Sequence, residues 1–383
     1  MLISRSLKPI LLQKLQTSAK GVVIYGARQV GKTTLANELL DQLKLKTLTV
    51  NGDQSRFLDI FSSRDLIKIQ SLVEGYELLF IDEAQRIPEI GLALKIILDN
   101  LPHLKVLVTG SSSLDLASQI SEPLTGRVWP YRLYPISFGE LFQKQNRAEL
   151  TLSLEDRLIY GSYPEIFSLV GAFQKREYLQ VLSDAYLYRD LIEFGNLKNS
   201  SKVRDLLKLL AFQIGSQVSL TELGTSLSMS KDTVGRYLDL LEKSYIIFRL
   251  KGLGRNLRKE VVRMDKIFFY DLGVRNVLID NLKPLKDHND FGQLWENFLL
   301  VERMKLLAYR QCPAAAYFWR TYTGAELDYV EDKNGQLLGF EFKAGTKTSR
   351  PPITWSATYP GSKYYCINQD TYLNFVLDVD QPD

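Results

Sequence analysis

Short apolar runs alternate with stretches in which leucine and isoleucine recur every three or four positions, and this alternation predicts the elements of the first third of the chain. Val22-Val23-Ile24-Tyr25 reads as a buried strand, and Leu35, Leu39, Leu40 and Leu43 follow at helical spacing. Thr47–Val50 is a second strand ending in Asn51-Gly52-Asp53. A helical segment then carries Phe57, Ile60 and Phe61, then Leu66, Ile67 and Ile69. Leu78–Ile81 is a central strand, Ile90 to Leu98 a helix, Lys105–Val108 another buried strand, and Tyr131–Tyr134 a fifth. Residues 1–20 form a basic amphipathic helix leading into the first strand. Strand–helix alternation of this kind implies right-handed βαβ units and a parallel sheet.

Beyond residue 141 the pattern changes twice. Residues 142–210 read mostly helical and are expected to form a lid. Val218–Leu227 and Lys231–Lys243 are two short helices joined by Ser228-Met229-Ser230, and Tyr245–Leu250 follows as a strand. Helix, three-residue turn, helix and strand describe a winged helix-turn-helix. In the second helix Val234, Tyr237, Leu238 and Leu241 face inward and leave Lys231, Thr233, Gly235 and Arg236 outward. From Ile267 the pattern is α/β again: a short strand through Tyr270, a helix marked by Leu294, Trp295, Phe298 and Leu299, and strands at 317–320, 327–330 and 337–342. The expected fold class is α/β with domains at 1–141 (P-loop domain), 142–210 (helical lid), 211–262 (winged helix-turn-helix) and 263–383 (C-terminal α/β domain).

Chemistry enters at Gly26–Thr33, GARQVGKT, which fits the phosphate-binding pattern G-x-x-x-x-G-K-[ST] between a strand and a helix. Gly26 and Gly31 let the backbone curl so that consecutive N–H groups point at an anion, and the next helix adds its positive end. The loop Gly26, Ala27, Arg28, Gln29, Val30, Gly31, Lys32, Thr33 and Thr34 is expected to hold a nucleotide. Lys32 reaches the β/γ-phosphates and the Thr33 hydroxyl sits on Mg²⁺. In LLFIDEAQ, Asp82 and Glu83 close a strand at its carboxyl end, where ligands bind in open α/β sheets. Asp82 suits Mg²⁺ through its water shell, and Glu83 suits activation of the attacking water. The next strand ends in Thr109-Gly110-Ser111-Ser112, so Ser111 or Thr109 is the candidate γ-phosphate sensor. Arg127 is a candidate arginine finger, in cis or from a neighbouring subunit.

A second constellation lies near the carboxyl terminus. Strict alternation puts Glu326 and Asp328 on one side of their strand, with Leu327 and Tyr329 facing away; Glu341 and Lys343 share a face in the next. Asp328, twelve residues and then Glu341-x-Lys343 make D-x12-E-x-K, with Glu296 on the preceding helix. Glu296, Asp328 and Glu341 could hold a divalent metal while Lys343 orients a water for phosphodiester attack.

Composition narrows the setting. The chain has 383 residues, 45% of them hydrophobic and 24% charged, with a net charge of +4. That balance is ordinary for a globular protein and too mild to demand a nucleic acid. Local clustering is suggestive: Arg249, Lys251, Arg255, Arg258, Lys259, Arg263 and Lys266 face only Glu260 and Asp265, a basic wing able to neutralise phosphates. Cys312 and Cys366 are isolated, which argues against a zinc site or disulfide framework. The N-terminus is broken by Arg5, Lys8 and Lys14, and no apolar run is long enough for a membrane span, so the expected location is cytoplasmic.

These residues together resemble a large group of poorly characterised prokaryotic AAA-type ATPases with a C-terminal domain of unknown function that looks like the restriction-endonuclease, PD-(D/E)xK, fold. GARQVGKTTL, LLFIDEAQ, TGSSS, the LTGR…YPISFGEL stretch, LYRDL, GQLWENF and GFEFKAG carry the resemblance over nearly the whole chain. It implies phosphate and Mg²⁺ binding by Gly26, Gly31, Lys32 and Thr33, and support of hydrolysis by Asp82 and Glu83. It also implies a metal site at Glu296, Asp328, Glu341 and Lys343, though Leu327 stands where the PD motif has proline. The expected activity is ATP hydrolysis with Mg²⁺ that controls the winged helix and the endonuclease-like domain, with double-stranded DNA as partner. The alternatives are an ATP-gated nuclease and a nucleotide-gated switch acting on a protein partner, with homo-oligomerisation compatible with each.

Overall fold

The computed structural model describes residues 3–110, 124–187, 200–254 and 264–378. Ser111, the Tyr188-Arg189-Asp190 triplet, and Arg255, Arg258, Lys259 and Arg263 lie outside the described residues. The chain divides into two compact units. One is Leu2–Pro135 with Lys243–Tyr245, and the other is Ile136–Glu242 with Ile246–Asp383.

The first unit is built on a parallel sheet. Its strands are β1 (Gly21–Tyr25), β2 (Thr47–Asn51), β3 (Leu78–Asp82), β4 (Lys105–Gly110) and β5 (Val128–Arg132), in the order β2-β3-β4-β1-β5. All four pairings are parallel. The central strands β3, β4 and β1 carry apolar runs because both of their faces are covered, while the edge strands β2 and β5 keep polar, part-exposed positions. Val23, Leu79, Ile81, Val106 and Val108 pack with Phe61, Ile69, Ile90, Leu94 and Ile97 from the helices Ser55–Ser62, Leu66–Val73 and Ile90–Asn100. Alternation sends Val22, Ile24, Phe80 and Leu107 to the other face, the side of helices Lys8–Thr17 and Lys32–Leu43, whose Leu11, Leu15, Leu35 and Leu39 are buried. Burial of each such side chain contributes roughly 1.5–3 kcal/mol, so this sheet is a rigid base for whatever its edges carry. The helical segment expected over Phe57–Ile69 is two helices, broken where Asp65 caps the second by accepting from the Ile67 and Lys68 N–H groups.

The second unit holds a mixed six-stranded sheet, β11-β10-β9-β8-β6-β7. It comprises β6 (Ile247–Gly252), β7 (Lys266–Phe269), β8 (Ala315–Arg320), β9 (Glu326–Lys333), β10 (Gln336–Phe342) and β11 (Lys363–Ile367). β6 pairs antiparallel with β7 and parallel with β8, so one sheet runs across the 262/263 line drawn from the sequence. The helix Phe291–Tyr309 buries Leu294, Trp295, Phe298 and Leu299, and Trp295 and Phe298 pack with Phe138 and Tyr372 at ring separations of 5.0–6.5 Å. A smaller core of Trp319, Leu327, Val330, Leu337, Trp355 and Tyr359 lies elsewhere on the sheet.

Helices Leu220–Leu227 and Lys231–Lys243 stand where the spacing puts them. Val234, Tyr237, Leu238 and Leu241 are buried, while Lys231 and Arg236 are exposed. No helix among the described residues is long and apolar enough to cross a membrane.

Candidate nucleotide-binding site

The loop between β1 and helix Lys32–Leu43 takes its shape from residues with positive φ. Gly26 (φ 155°), Gln29 (φ 60°) and Gly31 (φ 93°) turn the chain back on itself, and Gly31 caps the helix in the left-handed conformation. A Cβ at Gly26 would lie 2.3 Å from the Leu133 carbonyl oxygen, so only glycine lets the loop approach β5 so closely. Arg5, missed by sequence reasoning, is buried beneath this loop and donates to the Val30 carbonyl at 2.6 Å and the Tyr134 carbonyl at 2.5 Å. Its only sequence signal was a lone arginine ahead of an amphipathic helix.

Lys32 is 5% exposed and its ammonium donates to the loop carbonyls of Gly26 (2.9 Å) and Ala27 (2.8 Å). A buried cation needs acceptors, and the loop supplies them from within. The Thr33 hydroxyl donates to Asp82 Oδ2 at 3.0 Å, forty-nine positions along the chain. The two meet because β1 and β3 end at the same edge of the sheet, separated only by β4. Thr109, at the end of β4 and fully buried, donates to Asp82 Oδ1 in a short hydrogen bond and accepts from the Glu83 N–H at 3.4 Å. Of the two sensor candidates, Thr109 stands at the site, and Ser111 lies outside the described residues.

Glu83 has a left-handed backbone (φ 51°), and its carboxylate accepts a short hydrogen bond from Gln85 Nε2. Sequence reasoning passed over Gln85, although it closes the motif LLFIDEAQ. Gly52 supports the same turn: its N–H donates to the Asp82 carbonyl at 2.8 Å, and a Cβ there would lie 2.3 Å from the Glu83 carbonyl oxygen.

Arg127 is not brought to this cluster. The register Gly21↔Val128 through Tyr25↔Arg132 places it at the amino-terminal edge of the sheet, roughly 16 Å from the loop at about 3.3 Å per residue. Asp99 binds its guanidinium at 2.7 and 3.0 Å, so the cis finger expected from Gly126-Arg127 does not form.

In the second unit the structure does gather the carboxyl-terminal acids, with a group the motif did not contain. Lys266, counted above in a basic wing, is 4% exposed; its ammonium lies 3.1 Å from Glu296 and 2.8 Å from Glu326. Asp328 accepts from the Phe342 N–H at 2.7 Å, and Glu341 pairs with Lys343 at 2.7 Å. Burial pushes the Glu296 carboxyl up to about 8 against the pull of Lys266, and burial with Glu341 pushes Asp328 up to about 6. Burial works against the charge on Lys266, but Glu296 and Glu326 outweigh it and hold its pKa above the usual lysine range. Among the described residues no three His, Cys, Asp or Glu side chains form a set able to hold a metal ion.

Two expectations need correcting here. Leu327 and Tyr329 do not share a face, because the pairing of β8 with β9 slips between Tyr317 and Trp319. That irregularity turns Leu327 toward Trp355, while Tyr329 stacks on Phe340 and Phe342. The basic wing is also thinner than the sequence implied. Besides Lys266, Arg249 is bound by Glu242 at 2.6 Å and by Asp239 at 2.7 Å.

A parallel sheet with the P-loop after β1, an acidic pair at the end of β3 and a hydroxyl near the end of β4 defines an AAA-type P-loop protein, and residues 18–142 match the family described as an AAA domain. Residues 151–285 and 291–358 match families described as domains of unknown function, DUF8612 and DUF4143. The chain belongs to the family of an uncharacterised protein of Mycobacterium tuberculosis, to which it is 31% identical over 360 residues, 93% of this chain and 77% of that one. It is 24% identical over 299 residues to an uncharacterised protein of Methanocaldococcus jannaschii, covering 73% of this chain and 65% of that one. Among solved structures, a Walker-type ATPase of Pyrococcus abyssi aligns over 72% of this chain and 96% of its own at 15% identity and a TM-score of 0.47. The Thermotoga maritima RuvB Holliday junction branch migration motor aligns over 64% and 90% at 18% identity and a TM-score of 0.35. Both overlaps are too loose to carry an argument.

Proposed function

We propose that the first unit binds ATP with Mg²⁺ and hydrolyses it. The observation that carries this reading is the meeting of Thr33 and Asp82 at 3.0 Å, beside a loop that already curls around the Lys32 ammonium. A hydroxyl and a carboxylate are hard oxygen donors of the kind Mg²⁺ takes alongside its waters. When bound, the ion supplies charge neutralisation for the phosphates.

The chain's own groups do the rest. Lys32 exchanges the Gly26 and Ala27 carbonyls for phosphate oxygens, and the loop N–H groups bind the same anion. Glu83 accepts the proton of the attacking water, Gln85 holds that carboxylate by its hydrogen bond, and Thr109 fixes the orientation of Asp82. The test is phosphate release and fluorescent-nucleotide binding by wild type, Lys32→Ala and Asp82→Asn. A wild type that neither retains nucleotide nor releases phosphate, with or without DNA, refutes the proposal.

The nucleotide state is proposed to control the second unit, read as a winged helix-turn-helix joined to an endonuclease-like sheet, with double-stranded DNA as partner. Support comes from the exposed Lys231 and Arg236 on the helix after the three-residue turn. The capture of Arg249 by two acids favours the runner-up, a switch that docks a protein. Turnover and mobility shifts measured with and without duplex DNA across a salt series separate the two, because phosphate contacts weaken steeply with salt. If Arg127 acts in trans in a homo-oligomer, Arg127→Ala subunits poison wild-type activity in mixtures.

A further inference from the structure

The resemblance that assigns Glu296, Asp328 and Glu341 to a metal says nothing of Lys266, and Lys266 changes what the cluster is. Its ammonium stands between a carboxylate of helix Phe291–Tyr309 and one of β9, at 3.1 and 2.8 Å. A divalent ion that bridged the helix and the strand would need that same position. The lysine is not a surface side chain folded inward by chance. It is the first residue of β7, paired with Leu250 of β6 on one side and bridged to Gln217 on the other, so its backbone is fixed. Glu296 is backed by Gly215, where a Cβ would come within 3.2 Å of the carboxylate, which limits its retreat. The remaining acids are also occupied, Asp328 by the Phe342 N–H and Glu341 by Lys343.

We infer that Lys266 is a built-in counter-ion that takes the place of a divalent cation in this carboxylate cluster, and that removing it converts the cluster into a divalent-cation site. Glu296 and Glu326 are then held by the Lys266 ammonium and Glu341 by that of Lys343, with Asp328 taken by a backbone N–H, and the second unit needs no metal there. This is independent of the nucleotide reading of the first unit. It removes the metal-dependent step from the nuclease alternative.

The test is a Mn²⁺ titration of full-length protein followed by electron paramagnetic resonance, in an Asp82→Asn background without nucleotide so that the first unit contributes no site. The background protein is expected to bind no Mn²⁺ at concentrations where Asp82→Asn/Lys266→Ala binds one equivalent. Adding Glu296→Gln or Asp328→Asn abolishes that gain, and Lys266→Arg, which keeps the charge, shows none. In parallel, Mn²⁺ raises the unfolding midpoint of Lys266→Ala but not of Lys266→Ala/Asp328→Asn. Stoichiometric Mn²⁺ binding by protein that keeps Lys266, lost on Asp328→Asn, overturns the inference; so does a folded Lys266→Ala that gains no ion. If Lys266→Ala does not fold, the Lys266 background and its Asp328→Asn derivative still decide: no binding upholds the inference and Asp328-dependent binding overturns it.

Discussion

Replacing Gly52 with alanine tests whether the acidic turn is as tightly set as the structure says. The added Cβ would lie 2.3 Å from the Glu83 carbonyl oxygen and 3.1 Å from both the Glu83 carbonyl carbon and Arg86 Cβ. Even close Cα–H···O contacts hold carbon and oxygen about 3.3 Å apart, so the two segments must separate by about 1 Å. The nearest obstacle is backbone, and no side chain can swing aside to relieve it. The Gly52 N–H also donates to the Asp82 carbonyl at 2.8 Å, so separation loosens the turn that carries both acids.

Overpacking of this kind costs about 1–3 kcal/mol, and a catalytic group displaced by ~1 Å loses about a hundredfold in rate. Gly52→Ala is therefore expected to lower the unfolding midpoint of the first unit and to cut ATP turnover about a hundredfold. Nucleotide affinity should change little, because none of the three nearest neighbours of that Cβ belongs to the loop 26–33. Stopped-assay phosphate release, fluorescent-nucleotide titration and thermal melts measure the three. Gly292→Ala, in a helix with no atom within 4 Å of its Cβ, is the control and should be neutral or stabilising by up to about 1 kcal/mol. A Gly52→Ala protein with wild-type turnover and an unshifted midpoint refutes the reasoning.

Thr109→Val removes the hydroxyl that holds Asp82 and accepts from the Glu83 N–H; turnover should fall about 10–100-fold at near-normal nucleotide affinity, whereas equal loss of both contradicts a positioning role. Arg303 and Glu331 form a fully buried pair at 2.7 Å, with Arg303 also bound to the Phe375 carbonyl at 3.0 Å. Arg303→Ala should cost about 3–5 kcal/mol in denaturant unfolding, and Arg303→Met/Glu331→Met distinctly less, because the single variant takes the nearer cation from the buried Glu331 carboxylate, which keeps the Lys333 ammonium at 3.3 Å. Burial holds the Glu296 carboxyl above the ordinary glutamate range in the folded chain, against the pull of Lys266, so the native state releases this proton at higher pH than the unfolded chain does. Stability of the second unit should therefore fall as pH rises from the ordinary glutamate range through the raised folded-state value; an unchanged slope in Glu296→Gln would be the contrary result.

The sequence alone determined the first unit in most respects that matter. Its three central strands carry apolar runs because both faces of the sheet are covered there, while the edge strands Thr47–Asn51 and Val128–Arg132 keep polar, part-exposed positions, and the loop from Gly26 to Thr33 declares itself through glycines the backbone cannot do without. Helix Lys231–Lys243 was legible for a related reason: its buried positions repeat at helical spacing. Tertiary structure alone decided which charges are spent. Nothing local distinguishes Lys266 from the arginines before it, or Arg127 from a finger, or marks Arg5 as the clamp beneath the loop. A charge finds its partner through strand order and register, which join residues tens to hundreds of positions apart, and a periodic pattern records only which face is apolar.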